Sequence, residues 1–386
     1  MSLDKNNTTI LRMVWDCEFY YELLISITKV ETPKVMAFLS SLLLRELTVF
    51  VQEMFRFVPQ VEKAFLESSS KLFQKTYPII RDRIHYFTSQ PFDYENEKLM
   101  AESMLERVQS SFLTRPKDDT YQMRYDLLYL KVENVLCACS IDLYSLVNGT
   151  DIEKNGKVIN EVVKQYVIDL SSVISNVRRG FSSRKLSKIF SLSSLCIENI
   201  TSIELYNGKF DVAVSKSGFS DYLTIILLRL FSDIGSLLYF IKKLFVSDWE
   251  NTYYLYFFTK LIAIRFDEIS DAIYKIETEF PTDESSAFME LVKSQNIYPF
   301  PEDLRLVAKR LRNSIHYNPR NEIWNIDLSK TFYWYDNFLK QASTKDLPLK
   351  NWPNDYFVLK DRMLTHLELL HTQLATVFDH ELVRAK

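Results

Sequence analysis

Glycine is scarce in this chain, with 6 in 386 residues. Rossmann and P-loop folds need glycine wherever backbone must approach phosphate, so that class of nucleotide binder is excluded. Cysteine is scarce too: Cys17, Cys137, Cys139 and Cys196 show neither zinc spacing nor a disulfide framework. They read as buried thiols in a reducing cytoplasm, and no metal or cofactor is expected. Neither sign of charge prevails, since 47 Lys and Arg stand against 50 Asp and Glu for a net charge of −3. Such a balance predicts no strong nonspecific hold on nucleic acid, and it leaves a local basic pocket open. Uncharged spans are missing as well. The most apolar run, Tyr222–Ile241, contains Arg229 and Asp233 one helical turn apart. This predicts a buried helix of a soluble, cytoplasmic protein and no membrane span. Residues Met1–Ile10 are mostly polar and do not read as a signal peptide. Gly-x-Ser-x-Gly and Walker motifs are absent.

What is present is apolar material at helical spacing: 47% of residues are hydrophobic and 14% aromatic. The prediction is an all-α chain of two helical-bundle halves related by an internal repeat, residues 1–150 and 219–386, with a connector over 151–218. In the first half, helices are expected over Leu11–Lys29, from Thr32-Pro33 to Phe57, over Pro59–Lys71, around Pro78–Tyr86, over Tyr94–Phe112, and from Asp118 to Val147. In the second they are expected over Ser220–Val246, Trp249–Glu279, Ser285–Ser294, from Pro301 to Tyr317, over Leu328–Gln341, and from Asp355 to Leu382. The connector reads as a helix over Lys157–Val177, a basic loop at Arg178–Lys185, a helix near Leu186–Ile200, and a short hairpin over Thr201–Val214 turning at Asn207-Gly208.

The repeat is carried by one short motif. Arg81-Asp82-Arg83-Ile84-His85-Tyr86 is matched by Arg312-Asn313-Ser314-Ile315-His316-Tyr317. On a helix, positions i and i+4 share a face, so Arg81 and His85 are expected together, as are Arg312 and His316. Asp82 and Asn313 can orient their neighbours by hydrogen bonding, and Tyr86 and Tyr317 support the site. Arginine offers a permanently charged planar fork to phosphate, and imidazole takes or gives a proton near neutrality. RNA supplies its own nucleophile in the 2′-hydroxyl, so a metal is not required. Downstream, Tyr121 with Asp126 and Tyr356 with Asp361 fall at comparable positions, the aspartates being candidates to support the motif helices.

These paired motifs resemble the Arg-polar-x-His signature of the HEPN superfamily. That superfamily comprises all-helical domains, many of them metal-independent endoribonucleases of toxin–antitoxin, abortive-infection and CRISPR systems. The resemblance implies a pseudo-dimer of two halves whose motif helices face each other. It implies a composite site of Arg81, Asp82 and His85 with Arg312, Asn313 and His316. His85 and His316 would be the acid–base pair, and Arg81 and Arg312 would bind phosphate. RNA would be the substrate and an antitoxin or other protein a partner, in a defence or toxin-like setting. Only three residues separate Arg81 from His85 and Arg312 from His316, fewer than the family pattern usually leaves. A second reading is therefore a noncatalytic helical module that binds a protein or a nucleotide. A third is a homodimer in which each half pairs with its counterpart.

Other polar groups carry less. His366, His371 and His380 on the last helix have no compact metal spacing and are expected at the surface or an interface. Asp267-Glu268 is acidic without a histidine nearby in sequence. The basic piece at Arg178–Lys185 reads as a solvated loop, or as a contact for nucleic acid.

Overall fold

A computed structural model describes residues 13, 16–21, 23–25, 44–55, 59–82, 85–87, 91–113, 127–141, 158–182, 203–243, 252–315, 342–351, 354–379 and 382–384. Helical residues 44–55 precede α1 (Pro59–Ser68), α2 (Lys71–Asp82) and α3 (Tyr94–Leu113). Strands β1 (Leu127–Val132) and β2 (Val135–Cys139), helix α4 (Val158–Ser182), strand β3 (Ile203–Gly208) and helix α5 (Phe210–Ser217) follow. The remainder is α6 (Asp221–Lys243), α7 (Thr252–Glu279), α8 (Thr282–Ser294), α9 (Glu302–Ile315), α10 (Asn354–Phe378) and β4 (Val383–Arg384). The chain is mostly helical, as its periodicity predicts.

Local chemistry sets several helix starts. The Ser70 hydroxyl accepts the Phe73 amide at 3.1 Å ahead of α2, and the Asp93 carboxylate accepts the Asn96 amide at 3.1 Å ahead of α3. Both satisfy amides that have no partner within the helix. Glu302 and Asp303 open α9, where the helix dipole favours negative charge.

Helix α6 is the centre of the fold. It is apolar nearly all round, which marks a core helix rather than a surface one. It is also long and apolar enough to cross a membrane, and 94% of its most apolar window is buried inside the protein. Helices α7 and α10 pack beside it. In α10 the buried positions Tyr356, Leu359, Met363, Leu367, Leu370, Leu374 and Phe378 step by three or four, forming one stripe. Each fully buried Leu or Phe on such a stripe contributes about 1.5–3 kcal/mol. His366 and His371 belong to this buried face, not to the surface or interface expected for them. The His371 ring stacks on Phe231 of α6, with centroids 4.8 Å apart. Burial lowers the imidazole of His371 to about 4 and lowers that of His366 too, so both stay neutral. His380 lies outside the described residues.

The helix expected from Asp118 to Val147 is not formed over Leu127–Cys139, which is a β-hairpin. Its turn is Glu133-Asn134, both at positive φ (50° and 68°), as a tight two-residue hairpin requires. Cys137 and Cys139, two apart on a strand, therefore share a side of β2 and are both buried. The expected hairpin over Thr201–Val214 is instead strand β3 followed by α5. Gly208 does not turn the chain; a Cβ there would strike the Tyr129 ring across the strand pair. The sheet order is β2-β1-β3-β4, all antiparallel. It draws strands from all three of the sequence segments expected to be separate.

The outer edge of β2 is covered by α6. The Cys139 amide donates to Ser232 Oγ at 2.8 Å, and the Ser232 hydroxyl donates to the Cys139 carbonyl at 3.2 Å. One turn on, Gly235 allows strand and helix to touch, since a Cβ there would run into the Cys137 carbonyl. The edge is closed to further strand pairing at these positions. The basic piece is corrected as well: Arg178 and Arg179 belong to α4, and Arg178 pairs with Glu18 at 2.7 Å. Residues 183–185 lie outside the described residues, as do Tyr121 and Asp126. Asp361 is exposed and pairs with Lys360 at 3.0 Å, so it does not support a motif helix.

Candidate functional site

The two motif copies are placed differently. Helix α2 ends at Asp82, and His85 and Tyr86 follow in a bend. Arg81 and His85 therefore do not share a helix face. Arg81 stays on α2 and pairs with Glu62 of α1 at 3.5 Å, both side chains about a third exposed. The side chain of Asp82 lies outside the described residues. In the second copy α9 continues through Ile315, so Arg312 and Asn313 remain helical, Asn313 exposed. His316 and Tyr317 lie outside the described residues.

Tertiary contacts hold the bend at His85. Arg229 of α6 donates to the carbonyl of His85 at 3.2 Å and to that of Tyr86 at 3.1 Å. These carbonyls bind a guanidinium where a continuing helix would use amides. The Tyr86 ring lies within cation–π reach of Arg45 (4.9 Å) and Arg229 (5.5 Å). Its hydroxyl donates to Asp233. Tyr86 is thus a buried anchor.

Around that anchor sits a buried ionic cluster. Arg45 pairs with Asp233 at 3.1 Å and with Glu268 at 3.3 Å. Arg265 pairs with Asp233 at 3.3 Å, with Glu268 at 3.0 Å, and with Glu46. Burial alone would raise the Asp233 carboxyl, but Arg265 and Arg45 outweigh it and hold it below the usual range. Glu268 behaves the same way: burial opposes its charge, and Arg45, Arg265 and His85 hold its carboxyl down. Burial, with the charge of Asp233, pushes the Tyr86 phenol up, so it stays a donor. Once Arg229, whose charge also acts on Asp233, is counted, the arginines balance Asp233, Glu268 and Glu46, which is the condition for keeping such charges out of water.

One cleft opens beside this cluster. It has a volume of about 170 Å³ and is walled by the bend 85–87, helix α7 and helix α9. His85 lines it, 53% exposed, with Nδ1 at 3.8 Å from Glu268 Oε1. Arg312 lines it from α9, its guanidinium 2.6 Å from the Asp267 carboxylate. Burial raises the Asp267 carboxyl above its ordinary range even with Arg312 beside it. Helix α7 adds Glu268, Asp271, Ala272 and Lys275, spaced i, i+3, i+4 and i+7, which is one helix face. The sequence motif thus brings together His85 of the first copy and Arg312 of the second. Arg81 is not among the cleft's lining residues.

Asp267-Glu268, set aside for lack of a histidine, joins the two copies: one carboxylate meets Arg312 and the other faces His85. Asp271 and Lys275 were not singled out from sequence. The available signal was a polar stripe, Glu268, Asp271 and Lys275, at helical spacing on an aromatic-rich helix. Among the described residues no group of His, Cys, Asp and Glu is arranged to hold a metal ion. No family model, curated protein or solved structure matches the chain.

Proposed function

We propose that this chain is a HEPN-like helical protein that cleaves RNA without a metal, using a composite cleft drawn from both motif copies. The observation that carries this reading is the shared cleft, with His85 on one wall and Arg312 on another. Glu268 faces Nδ1 of His85, which favours the proton on that nitrogen and leaves Nε2 as the acceptor. In the proposed reaction Nε2 takes the proton of an RNA 2′-hydroxyl. The 2′-oxygen bonds to phosphorus, the bond to the 5′-oxygen breaks, and the departing oxygen is protonated. His316 is the expected proton donor. The products are a cyclic phosphate and a 5′-hydroxyl. Arg312 stands where charge develops on phosphate, and general acid–base help of this kind is worth about a hundred- to ten-thousand-fold in rate.

The test is single-stranded RNA incubated with the full chain in excess chelator. Cleavage to cyclic phosphate ends is expected, with His85→Ala slower by about a hundredfold or more. Intact RNA, or a His85→Ala variant as fast as wild type, retires the proposal. A noncatalytic binding module is the second reading. It is favoured by the engagement of both motif arginines with carboxylates, Arg81 with Glu62 and Arg312 with Asp267. Partners, a defence setting and a cytoplasmic location belong to the same proposal and rest on the motif resemblance.

A further inference from the structure

The cleft contains a cation that the motif does not include. Internal pairing accounts for most of the charge around it. Glu268 is matched by Arg45 and Arg265, Arg312 by Asp267, and Asp271 stands 3.9 Å from Arg305. Lys275 is different. Its ammonium lies 5.2 Å from the Phe87 ring centre and 5.4 Å from that of Phe92. No carboxylate pairs with it among the described residues. Aromatic faces hold a cation in place without cancelling its charge. Phe87 itself lines the cleft, so the ammonium is fixed at the cleft wall on the helix face that also carries Glu268 and Asp271.

We propose that Lys275, together with His85, binds the phosphoryl group of a ribonucleotide in this cleft. An ammonium is a compact point charge and a strong phosphate ligand, and the His85 imidazole adds a second donor when it carries its second proton. The carboxylate of Asp271 complements the rest of such a ligand, because it accepts hydrogen bonds from ribose hydroxyls or base amino groups. A bare anion satisfies only the Lys275 end. A ribonucleotide satisfies both ends. Arg312, already held by Asp267, shapes the opposite wall and supplies less of the attraction. This site shares its cleft with the RNA-cleavage reading but does not depend on turnover.

Three probes test it on the full chain by calorimetry and by the imidazole signals of His85: inorganic phosphate, a ribonucleoside 3′-monophosphate, and a short oligoribonucleotide made uncleavable by 2′-O-methylation. The monophosphate or the oligonucleotide is expected to bind more tightly than phosphate and to move the His85 signals. Whichever of the two binds more tightly tells a free nucleotide from an RNA phosphodiester. Lys275→Met should weaken binding about tenfold or more, the cost of one good ionic contact. Lys275→Arg should retain most of it, and Asp271→Asn should weaken the oligonucleotide more than phosphate. Binding by Lys275→Met equal to wild type, with its thermal unfolding unchanged, overturns the proposal, as does failure of wild type to bind any probe. Tight binding with unmodified RNA left intact removes the cleavage reading and leaves this site standing.

Discussion

The two copies of one hexapeptide do different work. In the first, the helix stops at Asp82 and the chain bends, Tyr86 is buried against Arg45 and Arg229, and His85 reaches the cleft. In the second, the helix runs on past the arginine through Ile315, and Arg312 reaches the same cleft from the other side. Arg81, its sequence counterpart, faces Glu62 instead. The difference comes from the surroundings. The first copy packs against α6, where Arg229 takes its carbonyls and Asp233 takes its phenol. The second packs on α7 through the apolar side of α9, with Leu304, Val307, Ala308 and Leu311 buried. Similar local sequence gives similar propensity, and tertiary partners decide what is made of it.

The comparison can be broken at the anchor of the first copy. Asp233→Ala strips Arg45 and Arg265 of a buried counter-charge and the Tyr86 hydroxyl of its acceptor. Removing one partner of a buried ionic cluster costs about 3–5 kcal/mol. Chemical denaturation should show that loss, and a cost below about 1 kcal/mol would mean that the anchor holds little.

Acid should loosen the whole fold before it separates the copies. His371 is neutral in the core, with its folded value depressed to about 4. The unfolded chain binds that proton from about pH 6.5 downward, so stability is full above 6.5 and falls as pH drops toward 4. The loss amounts to about 3 kcal/mol from this group, with His366 adding in the same direction. His371→Leu should flatten the slope in that window. Below it the copies diverge in sign. Asp233 and Glu268 are held low, so their stabilising contribution is lost as acid protonates them. Asp267 is held high, so protonation relieves it. Amide exchange should therefore rise at Tyr86 before it rises along α9.

The smallest effects sharpen the comparison most directly. Arg312→Gln leaves the buried Asp267 carboxylate without its cation and should cost about 1–3 kcal/mol. Arg81→Gln removes a pair about a third exposed and should cost no more than about 0.5 kcal/mol, with any activity of the cleft unchanged. Equal losses from the two changes would erase the asymmetry.

The long helices were legible because period, caps and prolines agreed: α3, α6, α7, α9 and α10 fall within a few residues of the expected bounds. The β-hairpin was not. Leu127-Leu128-Tyr129-Leu130 and Val135-Leu136-Cys137-Ala138-Cys139 are short apolar runs, and such runs do not tell helix from strand by period. Their turn, Glu133-Asn134, lacks glycine, whereas Asn207-Gly208 has the turn signature and lies in a strand. Of the site, His85 and Arg312 were found through the repeat. Asp267, Glu268, Asp271 and Lys275 were not, because their meaning depends on which helix lands beside them. Pairing a carboxylate with a histidine nearly 200 positions away leaves no trace in local spacing.

The cleft's makeup also sets a schedule. Its walls come from residues 85–87, 268–275 and 312, and the cluster behind His85 needs Arg229, Asp233 and Arg265. During synthesis the hairpin of β1 and β2 can close as soon as it emerges, since its partners are adjacent. Strand β3 must wait some seventy residues to join β1, and β4 closes the sheet later still. His85 therefore leaves the ribosome long before anything exists to hold it. A growing chain has no complete cleft until α9 has been made, so whatever the cleft does begins only once residue 312 has joined residue 85.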